Sequence, residues 1–370
     1  MRVLVCDDSA VMRKAISQII ASDPTLEVID TAKNGREAVE KAIALKPDLI
    51  TLDIEMPEID GLTALSRIMS QAPTRVLMVS SLTKEGSRSA LTALRLGALD
   101  FVAKDQSQIT LAVDTLRDQI LSKIRTLREA RAPRAIARTL SHTAEPEGPQ
   151  FAPGTFDVVL VGSSTGGPPA LEQMLTQIPA DISCPIVIAQ HMPELFTKSM
   201  AERLDQHCAV TVVHGENRMP LLRGTAYIIP GGKHGRVLRP APGRLELEIS
   251  SEPREALYKP CVNELFASGA RAIKNRALAV ILTGMGDDGF LGAKELSAQG
   301  GKILAQSAES CVVYGMPKSI TAHGLAEASL TPTQIGRCLA TLGGGVRKPA
   351  RSENTGTTPP IANRPRPNAA

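Results

Sequence analysis

The chain has 370 residues, enough for two domains, and its hydrophobic content of 43% is ordinary for a globular protein. A net charge of +4 and an aromatic content of 2% do not indicate a nucleic-acid-binding protein. We find no apolar run long enough to span a bilayer, no secretory signal and no paired metal spacing among the six cysteines. The sequence therefore predicts a cytoplasmic protein with reduced thiols and no membrane insertion.

The first third of the chain alternates apolar strand patterns with amphipathic helix patterns. Strands are predicted at residues 3–6, 28–31, 49–53, 76–80 and 100–103. Continuous apolar strands joined by helices are typical of a parallel sheet covered on both faces. The pattern predicts a flavodoxin-like (βα)5 domain with strand order 2-1-3-4-5.

Acidic residues close two strands of this domain, Asp7 and Asp8 after the first and Asp53 at the end of the third. In the predicted order these strands are neighbours, and their carboxyl ends form the crevice where ligands bind. A Mg²⁺ ion would relieve the repulsion among three carboxylates. Ser80 ends the fourth strand and Lys104 follows the fifth, so the crevice suits capture of a phosphoryl group on Asp53. The alternative, that Asp7 and Asp8 only cap the first helix, leaves the other residues unexplained.

A basic helix follows, predicted from about Leu111 into residues 123–138. We interpret its lysines and arginines as a solvated helix face, not as a nucleic-acid site. Residues 141–154 are rich in Pro, Gly, Glu and Ser, which is typical of a linker. The predicted divisions are a first domain over 1–122, a linker over 123–154, a second domain over 155–343 and a disordered tail over 344–370.

The second domain repeats the alternating pattern from Phe156 onward. Strands are predicted at residues 157–161, 186–190, 210–214, 279–283 and 302–305. The pattern indicates a doubly wound, mostly parallel α/β domain. Residues 227–249 contain turn clusters between short strand-like pieces and predict a β-hairpin excursion.

Residues 162–167, Gly-Ser-Ser-Thr-Gly-Gly, lie between a predicted strand and a predicted helix. Such a turn exposes small polar side chains at the edge of the sheet and directs free backbone N–H groups there. It could bind an anion, or present Ser164 as a nucleophile beside oxyanion donors. The stretch lacks both G-x-G-x-x-G and the Walker lysine.

An imidazole and two acids also follow predicted strands of this domain: His191 after one, Asp287 and Asp288 after another. On a parallel sheet they meet Ser164 at one edge, which supplies the nucleophile, base and orienting acid of acyl transfer. His234 is the alternative base, and the residue pattern leaves the choice between the two acids open.

Residues 1 to about 120 resemble a response-regulator receiver domain, through residues 5–9, 52–57 with 60–61, 79–81 and 101–104. The resemblance implies that Asp53 is phosphorylated by a partner histidine kinase. It implies that Asp8 and Asp53 ligate Mg²⁺, with Asp7 helping through water. The backbone carbonyl of Glu55 would be a further ligand.

The same resemblance makes Ser80 and Phe101 the switch pair that responds to the phosphoryl group, beside Lys104. One residue departs from the pattern, because the family usually has a cis proline after this lysine and this chain has Asp105. A cis bond before a non-proline residue costs roughly 2.5–4 kcal/mol, so the departure bears on how Lys104 is aimed and on the lifetime of the phosphoryl group.

Residues 156 to about 340 resemble the catalytic domain of the chemotaxis protein-glutamate methylesterase, also a protein-glutamine deamidase (CheB). The matching stretches are residues 162–168, 190–193, 227–231, 281–289 and 311–317. The resemblance implies that Ser164 is the nucleophile, His191 the base and Asp288 the orienting acid. Backbone N–H groups of Thr165 and Met285 would hold the oxyanion.

Two departures accompany this resemblance: Asp287 stands where Asn is common, and residues 259–263 read Lys-Pro-Cys-Val-Asn where Arg-Pro-Ser-Val-Asp is usual. The resemblance implies a phosphorylation-regulated hydrolase. It would demethylate glutamate methyl esters and deamidate glutamines on the cytoplasmic helices of chemoreceptors, without a cofactor for the ester chemistry. The receiver domain would cover the active site until it is phosphorylated. A non-catalytic two-component signalling adaptor and a protein-ester hydrolase outside chemotaxis are the alternatives.

Overall fold

The computed structural model of the protein describes residues 1–104, 109–130 and 148–343. Asp105, most of the predicted linker and the predicted tail lie outside the described residues. Two parallel sheets, each flanked by helices, form most of the described part together with a small antiparallel sheet, which confirms the predicted α/β class. No helix among these residues combines the length and the apolar character needed to cross a bilayer.

The first domain is a five-stranded parallel sheet in the order β2-β1-β3-β4-β5, as predicted. Its strands are β1 (Arg2–Cys6), β2 (Glu27–Ala32), β3 (Leu49–Asp53), β4 (Arg75–Ser81) and β5 (Asp100–Lys104). The helices that follow them are α1 (Ala10–Ala21), α2 (Gly35–Leu45), α3 (Gly61–Gln71), α4 (Lys84–Arg95) and α5 (Ile109–Glu129).

Capping residues set where the helices of this domain begin. The side chains of Ser9, Asn34, Asp60 and Thr83 each accept a hydrogen bond from a backbone N–H in the first turn of the helix that follows. The central strand β3 is buried along its whole length, as its mostly apolar sequence predicts. Each fully buried aliphatic side chain in such a strand contributes roughly 1.5–3 kcal/mol.

The second domain is built on a seven-stranded sheet in the order β15-β14-β13-β6-β7-β10-β8, in which every pair of neighbours is parallel. Its strands are β6 (Val158–Ser163), β7 (Ile186–Gln190), β8 (Thr211–His214), β10 (Thr225–Ile228), β13 (Ala277–Ile281), β14 (Lys302–Gln306) and β15 (Ala328–Leu330). The helices are α6 (Gly167–Leu175), α7 (Glu194–His207), α8 (Val262–Ala272), α9 (Phe290–Ala298), α10 (Met316–Thr321) and α11 (Pro332–Ala340).

The predicted hairpin excursion is present but begins later than residue 227. Strands β11 (His234–Ala241) and β12 (Arg244–Ser250) form an antiparallel hairpin, which β9 (Met219–Pro220) extends to a three-stranded sheet. Tyr227 instead lies in β10 of the main sheet. It is buried, and its hydroxyl donates to the Pro220 carbonyl (2.8 Å). The burial of Tyr227 in β10, between β7 and β8, outweighs the preference of the turn-forming residues that follow it.

The two domains are in direct contact. Helix α4 of the first domain packs against α7 of the second, where the buried hydroxyls of Ser87 and Ser199 are 2.6 Å apart. The ring of Phe101 in β5 stacks on Phe196 in α7, with centroids 4.3 Å apart. The second domain therefore lies against helix α4 and the edge strand β5 of the first domain.

Candidate active site and acidic pocket

Ser164 and His191 follow directly after two neighbouring strands. Ser163 at the end of β6 is in register with Gln190 at the end of β7, so the next residue on each strand is a candidate site residue. The Ser163 hydroxyl donates to Gln190 Oε1 (2.6 Å), and its carbonyl accepts from the His191 N–H (3.1 Å). These bonds fix the two strand ends side by side.

The turn after β6 holds Ser164 through its backbone. The Ser164 carbonyl accepts from the N–H of Gly167 (2.7 Å) and from Gln190 Nε2 (2.9 Å). Gly166 has a positive φ of 76°, and a Cβ there would lie 2.6 Å from the side chain of Val312. Glycine is therefore required where the chain turns into α6.

His191 is hydrogen-bonded to Asp288 through Nε2, which lies 2.8 Å from Oδ2. The other ring nitrogen, Nδ1, is buried and has no hydrogen-bond partner among the described residues, so Ser164 is not yet bonded to it. A carboxylate hydrogen-bonded to Nε2 favours the tautomer that carries its proton on Nε2. Nδ1 is then the proton acceptor. Such bonds often tighten only when substrate is present.

Asp288 is buried at the amino end of α8. Its carboxylate accepts from the backbone N–H groups of Val262 (2.8 Å) and Asn263 (2.9 Å), and from the Cys261 thiol (3.3 Å). Burial acts to raise the pKa of Asp288, but the hydrogen bonds from His191 and the backbone outweigh it, so the pKa is lowered. The acid beside the imidazole stays ionised near neutral pH.

The structure separates the alternatives that the residue pattern left open. Asp287 is exposed, whereas Asp288 is the acid that contacts the imidazole. His234 is fully buried, with Nε2 3.1 Å from the Pro253 carbonyl and Nδ1 accepting from the Cys261 N–H (3.3 Å). Burial lowers the pKa of His234, and both of its nitrogens are engaged by backbone, so it is not a free base.

The backbone N–H groups of Thr165 and Met285 donate no hydrogen bond to any residue that the structure describes. Their two loops are adjacent, because a Cβ at Gly284 would lie 2.8 Å from the Cβ of Ser164. The Gly284 N–H itself donates to the Val313 carbonyl (3.1 Å). Two free donors therefore flank the candidate nucleophile, as an oxyanion site requires.

The first domain contacts both of these donor residues. The Thr165 hydroxyl donates to Asp100 Oδ2 in β5 (2.5 Å), and the Thr126 hydroxyl in α5 contacts the thioether of Met285. Lys123 of α5 also lies 2.6 Å from Asp100 Oδ2. The first domain thus covers one side of the candidate oxyanion site.

The acidic pocket of the first domain has the composition that the sequence predicts. Carboxylate oxygens of Asp7, Asp8 and Asp53 lie within 4.8 Å of one another, which is a donor set suited to a hard cation. Lys104 Nζ lies 2.8 Å from both Asp7 and Asp53. Burial raises the pKa of Asp53 to about 6, even though Lys104 acts to lower it.

The predicted switch residues connect this pocket to the domain interface. The buried Ser80 hydroxyl donates to the Gly86 carbonyl in the first turn of α4 (3.0 Å). Phe101 is buried against Phe196 of the second domain. Glu55 is exposed, and its side chain accepts a hydrogen bond from the hydroxyl of Ser81 at the end of β4 (2.9 Å).

Sequence reasoning missed three residues at these sites. They are Asp100 and Thr126, which contact the candidate oxyanion residues, and Tyr258, whose ring stacks on His191 with centroids 4.4 Å apart. The position of Asp100 beside Phe101 was a signal available in the sequence. The other two contacts join segments far apart in the chain.

Residues 159–339 match the CheB methylesterase family, and residues 3–114 match the response regulator receiver domain. The protein-glutamate methylesterase/protein-glutamine glutaminase 1 of Oleidesulfovibrio alaskensis is 47% identical over 351 residues, covering 88% of this chain and 95% of that protein. The corresponding protein of Geobacillus kaustophilus is 43% identical over 343 residues, covering 92% and 98%. The crystal structure of the Thermotoga maritima CheB methylesterase catalytic domain is 37% identical and covers 50% of this chain and 98% of that chain, with a TM-score of 0.49.

Proposed function

This chain belongs to the CheB methylesterase family with an amino-terminal receiver domain, and we propose that it is a phosphorylation-regulated protein-glutamate methylesterase and protein-glutamine glutaminase. Its substrates are glutamate methyl esters and glutamine side chains on the cytoplasmic helices of a chemoreceptor. One observation carries the proposal. The imidazole of His191 is bound to buried Asp288 on one nitrogen and has no partner among the described residues on the other, next to the strand end that carries Ser164. The cytoplasmic location stays a prediction from the sequence.

In the first half-reaction, Ser164 Oγ attacks the ester carbonyl carbon and transfers its proton to Nδ1 of His191. Asp288 stabilises the imidazolium through Nε2. The oxyanion accepts hydrogen bonds from the backbone N–H groups of Thr165 and Met285. Loss of one such donor typically lowers kcat on the order of 10²–10³-fold. Collapse of this tetrahedral intermediate breaks the carbon–oxygen bond to the methoxy group, which takes the proton from the imidazolium and leaves as methanol.

In the second half-reaction, water attacks the acyl-enzyme carbonyl and gives a proton to His191. The ester bond to Ser164 Oγ breaks, the serine takes the proton back, and the product is a glutamate side chain. A glutamine substrate follows the same steps, with ammonia as the leaving group in place of methanol. Every proton in both half-reactions is moved by the chain's own residues.

Regulation begins at the acidic pocket, where Asp53 accepts a phosphoryl group from a histidine kinase. Asp8, Asp53 and the Glu55 carbonyl would hold Mg²⁺, with Asp7 acting through water. The ion would offset negative charge on the transferring phosphoryl group. The donor set supports this assignment, because its carboxylates already converge and Lys104 is placed to pair with a phosphoryl oxygen.

The phosphoryl group on Asp53 competes with the Gly86 carbonyl for the hydroxyl of Ser80. Gly86 is in the first turn of α4, and the next residue, Ser87, is the one bonded to Ser199 across the domain interface. A shift of this turn therefore acts directly on the contact between the domains.

In this proposal, the interface keeps the activity of the unphosphorylated protein low. While the domains are docked, Asp100 and Thr126 contact Thr165 and Met285, so the receiver domain occupies the approach to the oxyanion donors. Phosphorylation weakens docking and exposes these donors to a protein substrate. A base of this kind has no role in a purely non-catalytic adaptor, and Nδ1 of His191 has no hydrogen-bond partner among the described residues.

The proposal is tested by methanol release into the vapour phase from methylated receptor fragments. The Ser164→Ala variant should release none while its melting temperature is unchanged. Ser70→Ala is the control, because this exposed hydroxyl in α3 donates to the Arg67 carbonyl (3.1 Å), takes no part in the contacts described at the site, and its loss should leave activity unchanged. Near-normal turnover by Ser164→Ala rejects the assigned nucleophile. Release from other protein esters but not from receptor fragments places the enzyme outside chemotaxis.

A further inference from the structure

Tyr258 lies flat against the imidazole of His191. The two ring centroids are 4.4 Å apart and the ring planes differ by 7°. Tyr258 belongs to the segment between β12 and α8, outside any helix or strand. Its neighbour Leu257 is 84% exposed, whereas Tyr258 is partly buried. This segment therefore runs along the surface and contributes one ring to the candidate active site.

The segment is anchored at both of its ends. His234 bonds to the Pro253 carbonyl (3.1 Å) and accepts from the Cys261 N–H (3.3 Å), so one buried imidazole ties the two ends together. The Lys259 carbonyl accepts from the Gly232 N–H (3.1 Å). The aromatic ring of Tyr258 is therefore carried on a backbone that is held in place on each side of it.

The aromatic ring, rather than the hydroxyl, makes the contact with His191. The Tyr258 hydroxyl forms no hydrogen bond within the part of the chain that the structure describes. Burial, and then the charges of Asp288 and Asp287, raise the pKa of Tyr258. The phenol is thus neutral at the pH of ester hydrolysis, and its electron-rich face is what the imidazole meets.

The hydrogen bond from Nε2 to Asp288 holds one atom of the imidazole but does not by itself prevent small rotations of the ring about that atom. The parallel ring of Tyr258, packed against one face of the imidazole, restricts these rotations. It also attracts the positive charge that the imidazole gains when Ser164 loses its proton. Small errors in the position of a catalytic group can reduce rates by about 10².

Resting on the function proposed above, we propose that Tyr258 is a positioning residue for ester hydrolysis. Its ring holds the imidazole of His191 in the plane that aims Nδ1 at Ser164 while Nε2 stays on Asp288. It also favours the imidazolium in the transition state. Replacing the aromatic face by an aliphatic side chain should lower kcat by about 3- to 30-fold, with little change in KM.

The test compares Tyr258→Phe with Tyr258→Leu in the full chain. Phenylalanine keeps the aromatic face and leucine keeps only apolar bulk, so Tyr258→Phe should retain kcat and Tyr258→Leu should lose it. In NMR spectra, the His191 ring protons should be shifted upfield by the aromatic ring in the wild type and in Tyr258→Phe, but not in Tyr258→Leu. Equal melting temperatures show that each variant is folded.

Three results overturn the positioning role: wild-type kcat in Tyr258→Leu, a loss confined to KM, or equal damage in Tyr258→Phe. A loss confined to KM would make Tyr258 a substrate contact instead. Absence of methanol release from the wild type would overturn the proposed function. The His191 resonances would then still decide the inference, because unshifted ring protons in the wild type show that the ring is not held.

Discussion

Asp100, in β5 of the receiver domain, accepts a hydrogen bond of 2.5 Å from the hydroxyl of Thr165, the residue that follows Ser164. The same carboxylate oxygen lies 2.6 Å from Lys123 Nζ in α5. Asp100 is buried, and it immediately precedes Phe101 of the predicted switch pair. A single carboxylate therefore joins β5, which carries the predicted switch residue Phe101, to the loop that carries the proposed nucleophile Ser164.

Removal of this carboxylate should raise the basal activity of the unphosphorylated enzyme. A hydrogen bond to a charged group contributes about 1.5–3 kcal/mol, so Asp100→Ala should increase the fraction of undocked enzyme about tenfold or more. The measurement is methanol release without a phosphodonor. The fully stimulated wild-type rate is the upper limit of the increase.

The matched control is Asp30→Ala. Asp30 is paired with Lys41 (2.9 Å) and lies in β2, at the opposite edge of the receiver sheet from β5. Its loss should leave the basal rate unchanged. Equal basal rates in the wild type and Asp100→Ala would show that this bond does not hold the domains together.

The placement of the site was predictable because parallel strands end at a common edge. The order of the receiver sheet, and with it the meeting of Asp7 and Asp53, follows from the alternation of apolar strands and helices. Likewise, Ser164 and His191 come together because each directly follows a strand, and the two strands proved to be neighbours.

Contacts between side chains were not predictable, because they depend on burial and on the approach of distant segments. The residue pattern left Asp288 and Asp287 open and only the resemblance favoured Asp288, whereas the structure shows that its carboxylate is the one bonded at the amino end of α8. The assignment of Nδ1 as the free nitrogen needs the ring orientation. Tyr258 comes from a segment without regular structure, whose position no periodicity reveals.

Asp53→Ala should leave the enzyme at its basal rate in the presence of a small-molecule phosphodonor. The substitution removes the acceptor of the phosphoryl group, so Ser80 keeps its bond to the Gly86 carbonyl and the domains stay docked. The measurement is the ratio of methanol release with and without the phosphodonor. Wild-type protein is the positive control. Full stimulation of Asp53→Ala would exclude Asp53 as the phosphorylated residue.

Removal of divalent cations should distinguish phosphorylation of the receiver domain from ester hydrolysis by the second domain. A chelator should abolish stimulation by the phosphodonor, because the carboxylates of Asp7, Asp8 and Asp53 would face the incoming phosphoryl group without a cation. The basal methanol release should not change. Added Mg²⁺ should restore stimulation. Loss of basal activity on chelation would contradict ester hydrolysis by the chain's own residues alone.

Asp288→Asn should reduce kcat on the order of 10²–10⁴-fold, because the imidazole loses the charge that stabilises its protonated form. It should also lower the melting temperature by an amount that depends on pH. The pKa of Asp288 is lowered below its ordinary value of 3.8, so its contribution is present above about pH 4 and is lost as the pH falls further. The difference in melting temperature between wild type and Asp288→Asn should therefore be largest near neutral pH and shrink below pH 4.

Asp287→Asn is the control for this pair of effects. Asp287 is exposed and lies one residue away, so the same loss of charge should leave both kcat and the pH dependence of stability close to those of the wild type. Equal inactivation by Asp287→Asn would assign the orienting role to the other acid. A stability difference for Asp288→Asn that stays constant from pH 3 to pH 7 would show that the carboxylate of Asp288 is not held ionised by His191 and the amino end of α8.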